Sequence, residues 1–362
     1  MVHHNLYMKY EFYVPSAQVI DLKALVWVAP RKFEINGLAE PKVQTGEALI
    51  KVRACGLSKT DVEISMGSSR HKGSEIQPPL VLGHEVAGEI VRIEGHSHGF
   101  HEGQRVSVAP ISACGQCHYC RRGEIQNCKN SEHLGVTRNG GLAEFVAAPL
   151  QTLYPLPDNL SYEEAALIDT LSKPVYAHLK ARFDMGSSVA IWGAGDVAFC
   201  YVQVAKYAGA TPVIELSWAD EKLEMAKRLG ADVTINAKKH DSAQKVREFT
   251  GSEGADLAVA AVFVDVAEHT KEVLSMVRPG GKVILQGVPE TPVDIKSIVT
   301  KGITVFGVNG QDYQTSINLI SWGRVNVKPM VSHRFSLDEA GKAFEMLEAK
   351  GPPFITKAVV LS

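Results

Sequence analysis

Four cysteines fall within fifteen residues, Cys114, Cys117, Cys120 and Cys128 in CGQCHYCRRGEIQNC, a C-x2-C-x2-C-x7-C spacing. Zinc is held by thiolates at the corners of a tetrahedron, and spacers this short let one loop supply all four without a core beneath it. With every position filled by protein, no place remains for water or substrate, so a zinc here is structural. An iron–sulfur cluster takes similar ligands, and the spacing alone fits it too. Cys55 and Cys200 read as ordinary buried thiols.

A second stretch with chemistry runs from Ser188 to Lys222. Apolar Val189 to Trp192 gives way to Gly193-Ala194-Gly195-Asp196-Val197-Ala198, then to helical spacing over Phe199 to Tyr207 and a second apolar run, Val213 to Leu216. That order predicts strand, glycine turn, helix and strand. The glycines serve a sharp turn and a close approach of backbone to a pyrophosphate, and the helix N-terminus offers unpaired N–H groups to the phosphates. Gly193, Gly195, Asp196 and Val197 are therefore assigned to a dinucleotide, together with Gly287 and Val288 at the end of KVILQGV. An acid about 20 residues beyond the glycines binds the ribose hydroxyls of NAD. Here that place falls on Ser217, with Glu215 two residues inside the strand. Without the acid a 2′-phosphate is not repelled, and Ser217 with Lys222 would bind it. This favours NADP over NAD, although no arginine follows to clamp the phosphate.

The elements that must position these groups are of two kinds. From Leu22 to about Ala54 the pattern is strand-like, LKALVWVA and then EALIKVRAC, divided by Pro41 and Gly46. VAGEIVRI, RVSVAP and LAEFVAAP follow, and together they predict a closed or partly closed barrel. Around Ser161 to Ala181 the period changes. Ser161 predicts an N-cap, Glu164 completes a capping box, and the pattern passes through a break at Pro174 into another helical stretch. From Ser187 to about Val308, strands (VAIWG, PVIEL, VTIN, LAVAAV, KVILQGV, ITVFGV) alternate with helices such as EKLEMAKRLG and AEHTKEVLSMV. That alternation predicts an α/β fold with a parallel, doubly wound sheet. Beyond Gln314 come a helix, SLDEAGKAFEMLEAK, and a strand, TKAVVLS, whose docking place periodicity does not give.

At 362 residues the chain exceeds one ordinary core, and about 150 residues per domain predicts two. A net charge of −2, with Lys and Arg spread along the chain, leaves no basic stripe for nucleic acid. No stretch approaches the ~18 apolar residues of a membrane span, so neither nucleic acid nor membrane is an expected partner. The leader MVHHNLYMKYEFYVPSAQVIDLK lacks a signal-peptide core. A cytoplasmic enzyme is expected, with residues 1–21 an extension outside the main fold.

Gly83-His84-Glu85, the four-cysteine lobe, NGGLAEFV, GAGDVA and the closing HRFSLDEAGKAFEML together make the chain similar to the zinc-containing medium-chain dehydrogenase/reductase superfamily, its alcohol and polyol dehydrogenases. The resemblance implies a GroES-like barrel domain at 22–176 and 315–362, with the zinc lobe at 112–130, and a Rossmann domain at 177–314. It also implies an active site in the cleft and homodimers or homotetramers. The family's catalytic zinc sits on a Cys of C-G-x-C-x-[ST]-D, the His of G-H-E, and a Cys, Asp or Glu before the joining helix. The corresponding residues are Ser58, His84 and Asp169, with Glu85 beside the metal and Asp61 orienting the histidine. Ser58 departs from the pattern, since a neutral hydroxyl is a much poorer ligand than a thiolate. A weakened or water-completed zinc site is expected. Taken alone, His84 would read as a hydrogen-bonded core histidine.

The same resemblance gives Thr60 the substrate proton, Lys59 a place near the coenzyme phosphates and Glu63 the next step of a proton relay. Lys173 falls in the turn that usually faces the nicotinamide, where the family mostly has Thr or a small residue. It reads as a replacement for part of the electrophile lost at Ser58, or as a solvated lysine at a helix end. The function expected is NAD(P)-dependent hydride transfer between nicotinamide and a secondary alcohol or polyol, or its carbonyl. Two alternatives stay open: a zinc-independent carbonyl or enone reductase of the same fold, with Lys173 and Thr60 as donors, and a coenzyme-binding sensor or scaffold.

Overall fold

Strand β3 (Glu47–Leu57) is the axis of the first half of the molecule, because its eleven residues pair with three other strands. The structure, a computed structural model, describes residues 22–67, 70–71, 74–261, 266–286, 293–349 and 355–362. The first half contains β1 (Leu22–Ala29), β2 (Lys32–Leu38), β3, helix α1 (Lys59–Ser65), β4 (Leu80–Val81), β5 (Glu85–Ile93), β6 (Arg105–Val108), β7 (Phe145–Pro149) and β8 (Leu153–Pro155). Two helices follow, α2 (Tyr162–Ala166) and α3 (Ile168–Ala181). The Ser161 hydroxyl accepts from the Glu164 N–H and the Glu164 carboxylate accepts from the Ser161 N–H, so the capping box starts α2 as its residue types require. Pro174 does not break the second helix. The break comes earlier, at Leu167, and α3 runs through Pro174 from Ile168 to Ala181, its apolar face buried.

The second half alternates: β9 (Val189–Trp192), α4 (Asp196–Tyr207), β10 (Val213–Ser217), α5 (Asp220–Arg228), β11 (Val233–Asn236), α6 (Ser242–Phe249), β12 (Ala255–Ala260), α7 (Val266–Met276), β13 (Val277–Leu285), α8 (Ile295–Lys301) and β14 (Thr304–Gly307). The six strands among its described residues are all parallel, in the order β11-β10-β9-β12-β13-β14. Numbered within the sheet this is 3-2-1-4-5-6, the order that reverses between its first and fourth strands and opens a crevice at their carboxyl ends. The glycine turn leaves β9 at that crevice.

The chain then makes α9 (Tyr313–Ser321), β15 (Val331–Ser336), α10 (Ala340–Glu348) and β16 (Lys357–Leu361). β16 inserts between β3 and β15, giving the order β8-β6-β5-β3-β16-β15 with β7 beside β3. Trp27, Ile50, Val86, Phe344 and Val360 form the core of this sheet. A second core joins the halves, with Val359 of β16, Leu171 of α3 and Phe199 of α4 in one buried cluster. The functional residues lie along that seam.

Candidate active site

β3 ends at Leu57 and the next residue, Ser58, caps α1. Its hydroxyl donates to Asp61 Oδ2 (2.8 Å) and accepts from the Asp61 N–H (3.3 Å), while its own N–H donates to Asp61 Oδ2 (2.9 Å). Asp61 is buried, and its other oxygen accepts from the Gly83 N–H (3.0 Å) and faces His84 Nδ1 (3.3 Å). Burial works against the Asp61 charge, but His84 and the Ser58 donors outweigh it and hold its pKa down to about 2. Burial likewise opposes a charge on His84, and Asp61 more than offsets it, raising the imidazole.

His84, Glu85 and Asp169 converge, each with a ligand atom within 4.8 Å of the others'. Their carboxylate oxygens are largely in use: among the described residues Glu85 Oε2 accepts no hydrogen bond and lies 2.6 Å from Lys357 Nζ, while His84 engages Asp61 through Nδ1. Asp169, 1 % exposed, accepts at Oδ1 from Gln311 Nε2 (2.6 Å) and the Tyr313 hydroxyl (2.9 Å), and at Oδ2 from Lys173 Nζ. Lys173 is therefore not in a turn at a solvated helix end. It lies inside α3, one helical turn from Asp169 and ion-paired to it. Glu85 Oε1 accepts from the Thr170 hydroxyl (2.9 Å) and from Lys357 Nζ (2.7 Å). As placed, this donor set does not fit zinc: the thiolate is missing, the Ser58 hydroxyl is committed to Asp61, and both carboxylates carry an ammonium.

Lys357, 1 % exposed at the start of β16, uses all three N–H donors, on Glu85 Oε1, Thr170 Oγ1 (3.0 Å) and Asp196 Oδ2 (2.8 Å). Burial opposes its charge, and Asp196 and Glu85 together outweigh burial and raise its pKa. Gln311, Tyr313, Thr170 and Lys357 were not among the expected site residues. The segment bearing Gln311 approaches α3 through Gly310, where any Cβ would collide with the Tyr176 ring.

Asp196 begins α4 immediately after the glycine turn. Gly193 has φ 125°, which a side chain would strain, and a Cβ on Gly195 would meet nothing within 4 Å. The turn thus presents bare backbone to open space at a helix N-terminus, the cradle a pyrophosphate needs. Asp196 Oδ1 accepts from the Val197 N–H (2.9 Å). Ser217 ends β10 nearly buried, its hydroxyl accepting from the Ala219 N–H (3.3 Å), and Lys222 is half-buried on α5, its pKa lowered by burial against the pull of Asp196. Glu215 is wholly buried, with no hydrogen-bond partner for either oxygen among the described residues, so it cannot read a ribose. Thr60 is exposed in the first turn of α1, and Lys59 and Glu63 face each other at 3.8 Å. Gly287 and Val288 lie outside the described residues.

The four cysteines form a separate cluster. Sγ separations are 3.5 Å for Cys117–Cys120 and Cys114–Cys128, 3.8 Å for Cys117–Cys128 and 4.0 Å for Cys114–Cys120. Sulfurs about 2.3 Å from zinc stand about 3.8 Å apart in a tetrahedron, so this set fits the metal. The Cys120 N–H holds the Cys117 thiol down to about 6, towards the thiolate that zinc binds.

Residues 44–158 match the alcohol dehydrogenase GroES-like domain and 197–323 the zinc-binding dehydrogenase family. The L-threonine 3-dehydrogenase of Pyrococcus horikoshii is 34 % identical over 317 residues, 85 % of this chain and 90 % of that one. The chain belongs to the zinc-containing medium-chain dehydrogenase/reductase superfamily. The sorbitol dehydrogenase of Bacillus subtilis is 31 % identical over 90 % of this chain and 93 % of its own. Among solved structures, alcohol dehydrogenase TADH from Thermus sp. ATN1 superposes with a TM-score of 0.85 at 29 % identity, over 94 % of this chain and 99 % of that one. A zinc-binding dehydrogenase from Sinorhizobium meliloti, bound to NADP, gives 0.87 at 26 % identity over the same shares. The present member of the superfamily is thus an NAD(P)-dependent oxidoreductase of the alcohol dehydrogenase class, with zinc and a nicotinamide dinucleotide as the cofactors.

Proposed function

We propose that this cleft moves hydride between nicotinamide C4 and the carbinol carbon of a secondary alcohol or polyol, or the matching ketone. The observation that carries the reading is Lys357, which ties Glu85 of the substrate-side cluster to Asp196 of the coenzyme turn in one buried network. Gly193, Gly195 and Val197 would hold the coenzyme's pyrophosphate, Lys59 would lie near its phosphates, and Ser217 with Lys222 would take a 2′-phosphate, which favours NADPH. Zinc on Cys114, Cys117, Cys120 and Cys128 supplies cross-linking of the lobe and no chemistry. In oxidation the hydroxyl proton leaves through Thr60, with Glu63 next in the relay. The relatives named for threonine and sorbitol act on compounds with secondary hydroxyls, which suits this substrate class. Fluorescence titration with NADH and NADPH is the test. NADPH binds more tightly, and Gly195→Asp, which fills the open cradle with a negative charge, abolishes binding of both. A parent protein that binds neither coenzyme sinks the reading.

A homo-oligomer completes the proposal. Among the described residues β14 pairs on one side only, with β13, and neighbouring α8 leaves Ile295 and Val299 exposed, an edge suited to a second copy. Sedimentation of the protein as a monomer would refute it. Among the described residues no helix is long and apolar enough to cross a membrane, and the two cysteines outside the zinc lobe, Cys55 and Cys200, are unbridged, which suits a reducing compartment.

A further inference from the structure

Asp61, Glu85 and Asp169 each face one basic group: His84, Lys357 and Lys173 respectively. Lys357 also holds Asp196, so the cationic places beside Glu85 and Asp169 are already taken by ammonium groups, and Zn2+ would enter a set that lacks its thiolate. The place expected for the metal is bounded by Asp169, and Lys173 Nζ is against that carboxylate, in contact with Oδ2 and 3.4 Å from the Asp169 carbonyl oxygen. An ammonium has three N–H donors. Asp169 takes two of them, and the side chain that carries the third is 31 % exposed where Asp169 is 1 % exposed. Lys173 is therefore anchored like a structural cation and open to a ligand like a catalytic one.

We propose that Lys173 stands in for the catalytic zinc: its ammonium, held by Asp169, donates to the substrate oxygen, and the centre transfers hydride without a second metal. The inference rests on the hydride-transfer reading above and names the electrophile of that site. In reduction, C4 of the reduced coenzyme gives its hydride to the carbonyl carbon and the C=O π pair moves to oxygen. The new alkoxide takes a proton from solvent through the Thr60 hydroxyl. Lys173 keeps its protons and holds the oxygen throughout by a charge-assisted hydrogen bond. Oxidation is the reverse, with oxidised coenzyme accepting the hydride. A singly charged donor stabilises an alkoxide less than Zn2+ does, so turnover in both directions is slower than with a bound zinc.

Zinc per chain, measured on the full-length protein after dialysis against zinc and then buffer, tests the metal half. The parent and Ser58→Cys hold one equivalent each, and the Ser58→Cys/Lys173→Thr protein holds two. A second equivalent in the parent overturns the inference. So does a double variant that still binds coenzyme but gains no metal, and if that variant does not fold, the parent count decides. Reduction of acetone, 2-butanone and 2,3-butanedione tests the donor half. Lys173→Met lowers kcat by about 100-fold or more with NADPH affinity unchanged, and Lys173→Arg recovers part of it. Unchanged kcat in Lys173→Met, or a parent that binds NADPH and reduces none of the three, overturns the donor role. Failure to bind either coenzyme would instead refute the hydride-transfer reading, whereas coenzyme binding with two zinc ions refutes only the lysine.

Discussion

The four-cysteine lobe and the His84–Glu85–Asp169 cluster both gather metal-ligating side chains, yet the first leaves its donors facing one another and the second gives them to lysines. In the lobe the sulfurs contact other sulfurs and backbone N–H groups. In the cleft, Lys173 and Lys357 occupy the carboxylates. Ligand type alone does not make a metal site. What decides is whether the lone pairs are still free once the fold has closed, because a cation already seated must be expelled before another can enter.

The largest effect that tests this contrast is loss of the lobe's metal. Cys117→Ser should lower zinc by about one equivalent and cost several kcal/mol of stability, since structural zinc binding is worth about 10–16 kcal/mol in small domains. Metal analysis with thermal unfolding reads both, and unchanged zinc would erase the difference between the clusters. Next comes Lys357→Met, which leaves Glu85 and Asp196 without their cation and should cost about 3–5 kcal/mol in denaturant unfolding. A change below about 1 kcal/mol would mean the network behaves like a surface ion pair.

Glu215 is a third condition, a buried carboxyl that no cation faces among the described residues. Burial pushes its pKa well above 4.5, so its contribution to stability is full below 4.5 and is lost as pH rises from there towards the folded value. The slope is about 1.4 kcal/mol per pH unit. Glu215→Leu should remove that slope and stabilise the protein by about 2 kcal/mol at neutral pH, measured as urea midpoints across pH 5–8. The smallest effect belongs to Ser58→Ala, which loses a helix cap worth about 1 kcal/mol. It also removes a donor from Asp61, whose contribution is present above 3.8 and lost as pH falls through about 2. The acid unfolding limb of the variant should move to higher pH, and an unmoved limb would show that His84 alone holds Asp61 down.

The glycine turn, the Ser161 capping box and the cysteine lobe were legible in the sequence because each is local: every partner lies within fifteen residues of the others. Asp61, His84 and Asp169 were legible only through the family resemblance. Their true partners were not. Gln311 and Tyr313 reach Asp169 across 142 and 144 residues, and Lys357 reaches Glu85 across 272. Lys357 in TKAVVLS reads as a polar strand end, and nothing local says that it is buried. Pro174 misled for the opposite reason, since local chemistry says break while packing of α3 on α4 carries the helix through.

The chain order of that network has a consequence for biosynthesis. A ribosome adding about 5–20 residues per second places Lys357 272 residues after Glu85, so the carboxylate waits roughly a quarter of a minute to a minute for its counterion. During that interval the parallel sheet has been made in full, while β3 lacks the neighbour that β16 provides. A nascent chain stalled before residue 357 therefore carries an edge of β3 without β16 and a Glu85 without Lys357 at one spot, where unfinished chains are open to mispairing.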